Sequence, residues 1–220
     1  MTIDMQAPLT WALVALDPAS EVIAAIGRGE IVILVDDEDR ENEGDLIAAA
    51  DFADASVINF MITHGRGLVC LALTRARADE LQLHPMVPRN EDHMGTAFTV
   101  SIDGTLAHGV RTGISAPERA KTISLAVRGT ATDIQRPGHI FPLIARDGGV
   151  VERQGHTEAA VDLATLAGCS AAGVIVEIVG PDGEMLRRDG LRDFARQHGL
   201  PMSSIDLLRQ HVLRSGAAVR

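Results

Sequence analysis

Short apolar runs separated by helix-like stretches constrain this chain more than any other feature. IVILV at 31–35, DLIAAADF at 45–52, GLVCLALT at 67–74 and AAGVIVEIV at 171–179 run five to nine residues, the length of a strand rather than of a buried helix. Helix signals lie between and after them. DPASEVIAAIGRG reads as a helix capped near Asp17 or Ser20 and stopped by Gly27 and Gly29, SVINFMITHG as one with Ser56 as cap and Gly65 as stop, and TRARADELQL as a third. SAPERAKTISLAV opens with a capping box, Ser115 with Glu118. TEAAVDLATLAG starts by Thr157 and ends by Gly168, and LRDFARQHG and SSIDLLRQHVL close the chain with helical periodicity. TAFTVSID reads as a further strand, NEDHMG as a turn, and HIFPLIA and GVV as strand pieces around the DGG turn. With no internal repeat, linker or composition break, the pattern predicts one α+β domain, a mixed β-sheet with surrounding helices over residues 16–220, preceded by a flexible arm over 1–15.

Composition narrows the function classes. A chain of 220 residues that is 46% apolar buries a sizeable core. Its net charge is −10 and its 20 Lys and Arg form no tract, which argues against nucleic acid while leaving room for a local anion pocket. Cys70 and Cys169 make neither a disulfide scaffold nor a zinc ribbon, MTIDMQAPLTW has no leader pattern, and no run reaches membrane-spanning length. A cytoplasmic protein with no membrane partner is expected.

Four segments carry chemistry. DDEDRENEGD at 36–45 packs seven carboxylates and one arginine directly behind IVILV, a repulsive arrangement unless cations, arginines or a function compensate it. In an extended chain alternate side chains share a face, so Glu41, Glu43 and Asp45 are expected to converge, Arg40 to point elsewhere, and Gly44 to relieve the backbone near a ligand. Carboxylate oxygens suit Mg or Mn; a solvated turn is the competing reading. In RPGHIFPL, Pro137 and Gly138 turn the chain and deliver His139 to the start of a strand, as an acid, a base or a purely structural histidine. In RQGHTEAA, Arg153 offers a fork of donors, Gly155 close approach, and Thr157 a hydroxyl at a helix start, which together make a phosphate seat. His156 between them can ligate a divalent ion, or can be a surface histidine beside a helix cap. In AGVIVEIV, Glu177 shares a strand face with Ile175 and Val179, so it is paired, exposed at a cleft or raised in pKa, unless the strand is an edge.

RENEGD at 40–45, GRGLVC at 65–70, AFTVSID at 97–103, TGIS at 112–115, RPGHIFPL at 136–143 and RQGHTEAAVDLA at 153–164 together resemble the 3,4-dihydroxy-2-butanone 4-phosphate synthase family of riboflavin biosynthesis. The resemblance covers roughly residues 16–210 and departs at the close, where SSIDLLRQHVL replaces the acidic, aromatic-containing ending common in the family. It implies conversion of D-ribulose 5-phosphate to L-3,4-dihydroxy-2-butanone 4-phosphate and formate by metal-assisted enolisation and skeletal rearrangement. It also implies Mg2+ or Mn2+, two ions per active site, and a homodimer with the pocket near the subunit boundary, so that groups of one chain can complete the other's site. Glu41 and His156 match the metal ligands. Arg40, Glu41, Asp45, Thr112, Arg153, Gln154, Gly155, His156, Thr157 and Glu177 match substrate contacts, and His139, Glu177 and Asp45 are the proton-transfer candidates. Cys70 matches a cysteine near the pocket, Glu43 is a nearby helper, and Asp36, Asp37, Glu38 and Asp39 read as supports or loop charge. No organic cofactor is implied. The family often joins this unit to GTP cyclohydrolase II, and without that domain's cysteine set the chain reads as the stand-alone form. Another metal-dependent lyase or isomerase of sugar phosphates is the runner-up, and a binding protein with a degenerate pocket the alternative outside enzymology.

Overall fold

The computed structural model describes residues 16–216, so the arm expected over 1–15 lies outside the described residues. The apolar runs become strands β1 (Val32–Val35), β2 (Gly44–Ala49) and β3 (Cys70–Leu73), joined by β4 (Ile102–Gly104), β5 (Ile134–Ile144), β6 (Ala172–Glu177) and β7 (Met202–Ser204). They form one sheet in the order β4-β5-β3-β6-β2-β1-β7. β3 with β5 and β1 with β7 pair in parallel, and the other neighbours are antiparallel. Helices α1 (Ala19–Gly27), α2 (Ala55–Phe60), α3 (Arg75–Glu80), α4 (Ala116–Arg128), α5 (Gly149–Glu152), α6 (His156–Leu166), α7 (Arg188–His198) and α8 (Ile205–Ser215) surround it, which is the mixed architecture the sequence predicts.

Apart from Asp45 and Glu177 at the ends of β2 and β6, the central strands are apolar because both faces of the sheet are covered. Ile33, Leu46, Leu71, Val174 and Val176 point into one core with Ile58 of α2, Ile123 of α4 and Leu191 of α7. Leu34, Ile47, Cys70, Ala72 and Ile175 point into the other with Val22 of α1, Leu163 of α6 and Leu208 of α8. Among the described residues no helix is long and apolar enough to cross a membrane.

Local signals were partly overruled by tertiary partners. Neither Asp17 nor Ser20 caps α1, which starts behind Pro18 without a side-chain cap, because the Asp17 carboxylate accepts the Met202 amide of β7. Asp54, not Ser56, caps α2, and the helix widens into a π turn over Met61–Gly65 before Arg66 turns left-handed. Ser115 caps α4 as expected, and the Glu118 carboxylate accepts the Ser115 hydroxyl together with the Arg111 and Gly113 amides. Only the end of TAFTVSID is a strand of the sheet. GVV is helical, held by the bond from the Val150 amide to Asp162. β5 begins five residues ahead of His139, so RPGH lies within a strand rather than at a turn.

Candidate active site

The acidic stretch folds as the loop between β1 and β2, and Asp36 organises it. Its buried carboxylate accepts the Glu41 amide at 3.0 Å, the Glu43 amide at 2.8 Å and Arg40 Nη1 at 2.9 Å. These three donors take most of its acceptor capacity, which makes Asp36 the loop's support, as the sequence suggests. Asp37, Glu38 and Asp39 are exposed. From the position just before α7, Arg187 Nη1 donates to the Glu41 and Asn42 carbonyls and fastens the loop from outside.

The expected convergence holds: Glu41, Glu43 and Asp45 line one cavity of about 170 Å³. Two details differ. Arg40 does not point away but lines the same cavity and bonds Glu41 at 2.8 Å, because residues 38–41 turn and break the strand alternation. Gly44 serves packing rather than a ligand: a Cβ there would lie 2.6 Å from a methyl of Leu191.

The sheet supplies the cavity floor. β6 lies between β3 and β2, so Glu177 is not on an edge strand. It sits opposite Asp45 in the register and accepts the Leu68 amide at 2.8 Å. Ile175 and Cys70 continue the same face. Burial raises the Asp45 carboxyl well above the usual carboxylate range, with His156 opposing and Glu177 and Glu41 adding to the rise. Burial and the Glu177 charge also push the Cys70 thiol up, away from the thiolate form.

α6 brings His156 and Thr157 over this floor, both buried. His156 Nε2 lies 3.2 Å from the Leu34 carbonyl, which can only accept, so Nε2 carries a proton. Nδ1 therefore faces Glu41 at 3.8 Å and Asp45 at 4.0 Å. Burial alone would lower the His156 pKa, but Asp45, Glu41 and Asp36 outweigh it and hold the ring above its ordinary value. Ligand atoms of Asp36, Glu41 and His156 lie within 4.8 Å of one another. A buried imidazole nitrogen facing surplus carboxylates, with its other nitrogen fixed by a carbonyl, is a donor set suited to a divalent cation.

Arg153 and Thr157 line the same cavity. The Arg153 fork is partly engaged: Nη1 donates to Glu158 at 2.6 Å, and Nη2 to Thr96 Oγ1 at 3.3 Å. Gly155 makes room for that guanidinium, since a Cβ would lie 2.2 Å from Nη1. Sequence reading missed Glu158, only 1% exposed, which also accepts the Arg146 amide; a carboxylate inside the apolar run TEAAVDLA was the available signal. Gln154 is exposed and borders a neighbouring cavity on the outer side of the acidic loop.

His139 and Thr112 do not line the Glu41–His156 cavity. His139 Nδ1 bonds the buried Asp103 carboxylate at 2.7 Å, a partner the sequence did not reveal, and Thr112 donates to Glu118 at 3.1 Å. The register runs Phe141–Cys70–Ile175 across β5, β3 and β6. His139 and Glu177 each lie two residues beyond that row at the same end of the sheet, two interstrand spacings or roughly 10 Å apart.

A sequence profile described as 3,4-dihydroxy-2-butanone 4-phosphate synthase matches residues 20–211. The chain is 54% identical over 197 residues to riboflavin biosynthesis protein RibBA of Aquifex aeolicus, covering 88% of this chain and 48% of that protein. It is 53% identical over 192 residues to 3,4-dihydroxy-2-butanone 4-phosphate synthase of Photobacterium phosphoreum, covering 86% and 52%. The chain thus spans about half the length of these curated relatives. Among solved structures, a 3,4-dihydroxy-2-butanone 4-phosphate synthase in complex with two magnesium ions superposes with a TM-score of 0.87 at 41% identity, covering 91% of this chain and 99% of that one. RibBX, a two-domain synthase from A. baumannii, gives 0.86 at 49% identity, covering 90% and 58%. With its motifs gathered on this fold and the profile matched along nearly its whole length, the chain belongs to the 3,4-dihydroxy-2-butanone 4-phosphate synthase family.

Proposed function

We propose that this protein converts D-ribulose 5-phosphate to L-3,4-dihydroxy-2-butanone 4-phosphate and formate for riboflavin biosynthesis, as a cytoplasmic homodimer using Mg2+ or Mn2+, two ions per site. Residues 16–220 are the catalytic unit in this reading. The observation that carries it is the convergence of Glu41, Asp45, His156 and Glu177 in one cavity beside Arg153 and Thr157, in a chain of this family. Glu41 and His156 would hold the metal, and the relative solved with two magnesium ions supports that assignment. A cation held there supplies a Lewis acid that polarises the sugar ketone and stabilises charge on its oxygens.

The chain's own groups supply the rest. Arg153 and Thr157 bind the phosphate, with Glu158 fixing the guanidinium and the first turn of α6 offering amides to the anion. Gln154 and Gly155 shape the approach to that seat. Arg40 and Thr112 contact the sugar. Glu177 and Asp45, facing each other across two strands, exchange protons with its carbons and hydroxyls, the raised Asp45 being suited to carry one near neutral pH. His139 is the third proton-transfer group. Reactant and products balance in atoms without an oxidant, a reductant or an organic cofactor.

The homodimer is supported by exposed apolar side chains next to residues of the cavity. Leu68, whose amide holds Glu177, and Met86, whose amide bonds Phe98, are both exposed, a pattern suited to a second copy. The cytoplasmic assignment is supported by Cys70 and Cys169 both being free thiols.

Formate release from purified protein and ribulose 5-phosphate tests the reading. Formate and the four-carbon phosphate in equal amounts are expected, abolished by chelator and restored by Mg or Mn but poorly by calcium. An isomerised pentose phosphate without formate would identify a different sugar-phosphate enzyme, and full turnover after verified metal removal would overturn the metal assignment.

A further inference from the structure

We propose that Arg66 is a positioning residue for Glu177: it straps the chain just beyond β6 to residues 65–68, so that the Glu177 carboxylate stays on the Leu68 amide and faces the cavity. The inference rests on the reading of Glu177 as a proton-transfer group. Glu177 is the last residue of β6, where the chain leaves the sheet and a side chain is only as fixed as the segment that follows it. That segment is held by a short antiparallel continuation of the β3–β6 pairing. The Gly67 amide donates to the Glu177 carbonyl at 3.2 Å, the Val179 amide donates to the Gly65 carbonyl at 2.8 Å, and Arg66 bridges Ile178. Leu68 then gives its amide to Glu177 Oε2 at 2.8 Å, so two successive residues grip the backbone and the side chain of the same glutamate. Arg66 closes the far end of the pairing. Its Nη1 donates to the Gly180 carbonyl at 2.5 Å and to the Val179 carbonyl at 3.4 Å.

The backbone identifies the side chain as the reason for an arginine at this position. After α2 has widened into the π turn over Met61–Gly65, Arg66 follows at φ +73°, a conformation that glycine adopts freely and that strains a residue with a Cβ. Glycines stand on both sides of it, and neither has a positive φ. They answer to close packing instead: a Cβ at Gly65 would lie 2.9 Å from a methyl of Val176, and one at Gly67 would collide with Glu177 Oε2. Of three consecutive positions, the left-handed one is thus the one without glycine. What an arginine adds there is a guanidinium that reaches across to residues 179–180. Arg66 is exposed and does not itself line the cavity, so its effect on the reaction passes through Glu177.

Arg66→Gly separates the two features, since it keeps the left-handed turn, now free of strain, and deletes the guanidinium. In 15N-leucine-labelled protein the Leu68 amide reports its bond to Glu177 directly, with Leu68→Ile used to assign the signal and Glu177→Ala marking its position once the bond is lost. Arg66→Gly is expected to move the Leu68 amide toward that position and to speed its hydrogen exchange, while a thermal melt shows the protein folded. Its kcat is expected to fall roughly tenfold, the scale of a misplaced catalytic group, with KM within about threefold. Arg66→Lys, which keeps a charged donor on a shorter reach, is expected to recover part of both. A folded Arg66→Gly enzyme with wild-type kcat, or one with lowered kcat and an unmoved Leu68 amide, would overturn the proposal. Normal turnover in Glu177→Gln would instead remove Glu177 from the chemistry, a separate failure, because the amide signal reads the strap whether or not Glu177 reacts.

Discussion

Glu177 lies at the end of an interior strand with one oxygen on the Leu68 amide. Glu177→Gln keeps an acceptor for that amide and loses only the titrating oxygen, so kcat is expected to fall at least about 100-fold with little change in KM or melting temperature. Steady-state formate kinetics beside a thermal melt check this, and near-normal turnover would take Glu177 out of the chemistry. Asp162, 1% exposed and outside the proposed reaction, is a stability residue instead. Burial pushes its carboxyl up to about 6, despite the Val150 amide it accepts. Because the folded pKa lies above the unfolded one, the native state holds the proton more tightly, and stability falls as pH rises from about 4 to about 6. Asp162→Asn escapes that loss. It is expected to be about 1–2 kcal/mol more stable than wild type at pH 7 and equal to it near pH 4, as read by denaturant melts at the two pH values.

At the scale of elements, α7 braces the acidic loop. Leu191 fills the space over Gly44, and Arg187 at the helix N-terminus holds the Glu41 and Asn42 carbonyls. Gly44→Ala is therefore expected to cost about 1–3 kcal/mol through overpacking. Leu191→Ala should relieve part of that cost, so a double-mutant cycle is expected to show the two changes as strongly non-additive; simple additivity would mean that α7 does not pack there. The other end of α7 carries a pH response. His198 stacks with His64 at 4.5 Å and with Phe194 at 4.5 Å. Burial first and the His64 charge second hold its pKa below the ordinary value. The folded state thus binds the proton less well than the unfolded one. The stability intact above about pH 6.5 is lost as pH falls through the folded value. The drop in melting temperature on acidification from pH 7 to 5 is expected to shrink in His198→Gln, and an unchanged drop would place the response elsewhere.

For the whole molecule, the proposed dimer makes a quantitative prediction. The Glu41–His156 cavity and the His139–Asp103 pair are separate features of one chain. If each site takes its His139 from the partner, then His139→Gln and Glu177→Gln chains, each inactive alone, form mixed dimers in which one site is wild type and the other carries both changes. Mixing after reversible dissociation is expected to restore about a quarter of wild-type turnover, half the dimers being mixed with one working site each. No recovery in verified mixed dimers would mean that each chain supplies its own His139. Activity falling with dimer fraction on dilution, followed by light scattering, tests the assembly itself.

The sequence by itself determined the elements and the chemistry. Apolar runs of strand length, helix starts at Thr74, Ser115 and Ser204, and short strings such as RENEGD and RQGHT are local patterns, and local patterns survive into the fold because they follow from backbone geometry and side-chain type. The tertiary structure decided which groups meet. Asp103 and Glu158 are ordinary acids in the sequence, and only a partner 36 residues away on β5 gives the first its role, while an arginine five residues back, half-buried in the cavity wall, gives the second its own. Arg40 turned into the cavity because the buried Asp36 gathers its loop, Asp17 left α1 because β7 offered an amide, and Gly44 and Gly155 answer to Leu191 and Arg153 rather than to a ligand. The deciding partner is set by the folded geometry rather than by the local pattern, and a buried charge or an unfilled Cβ takes its meaning from the atom it faces.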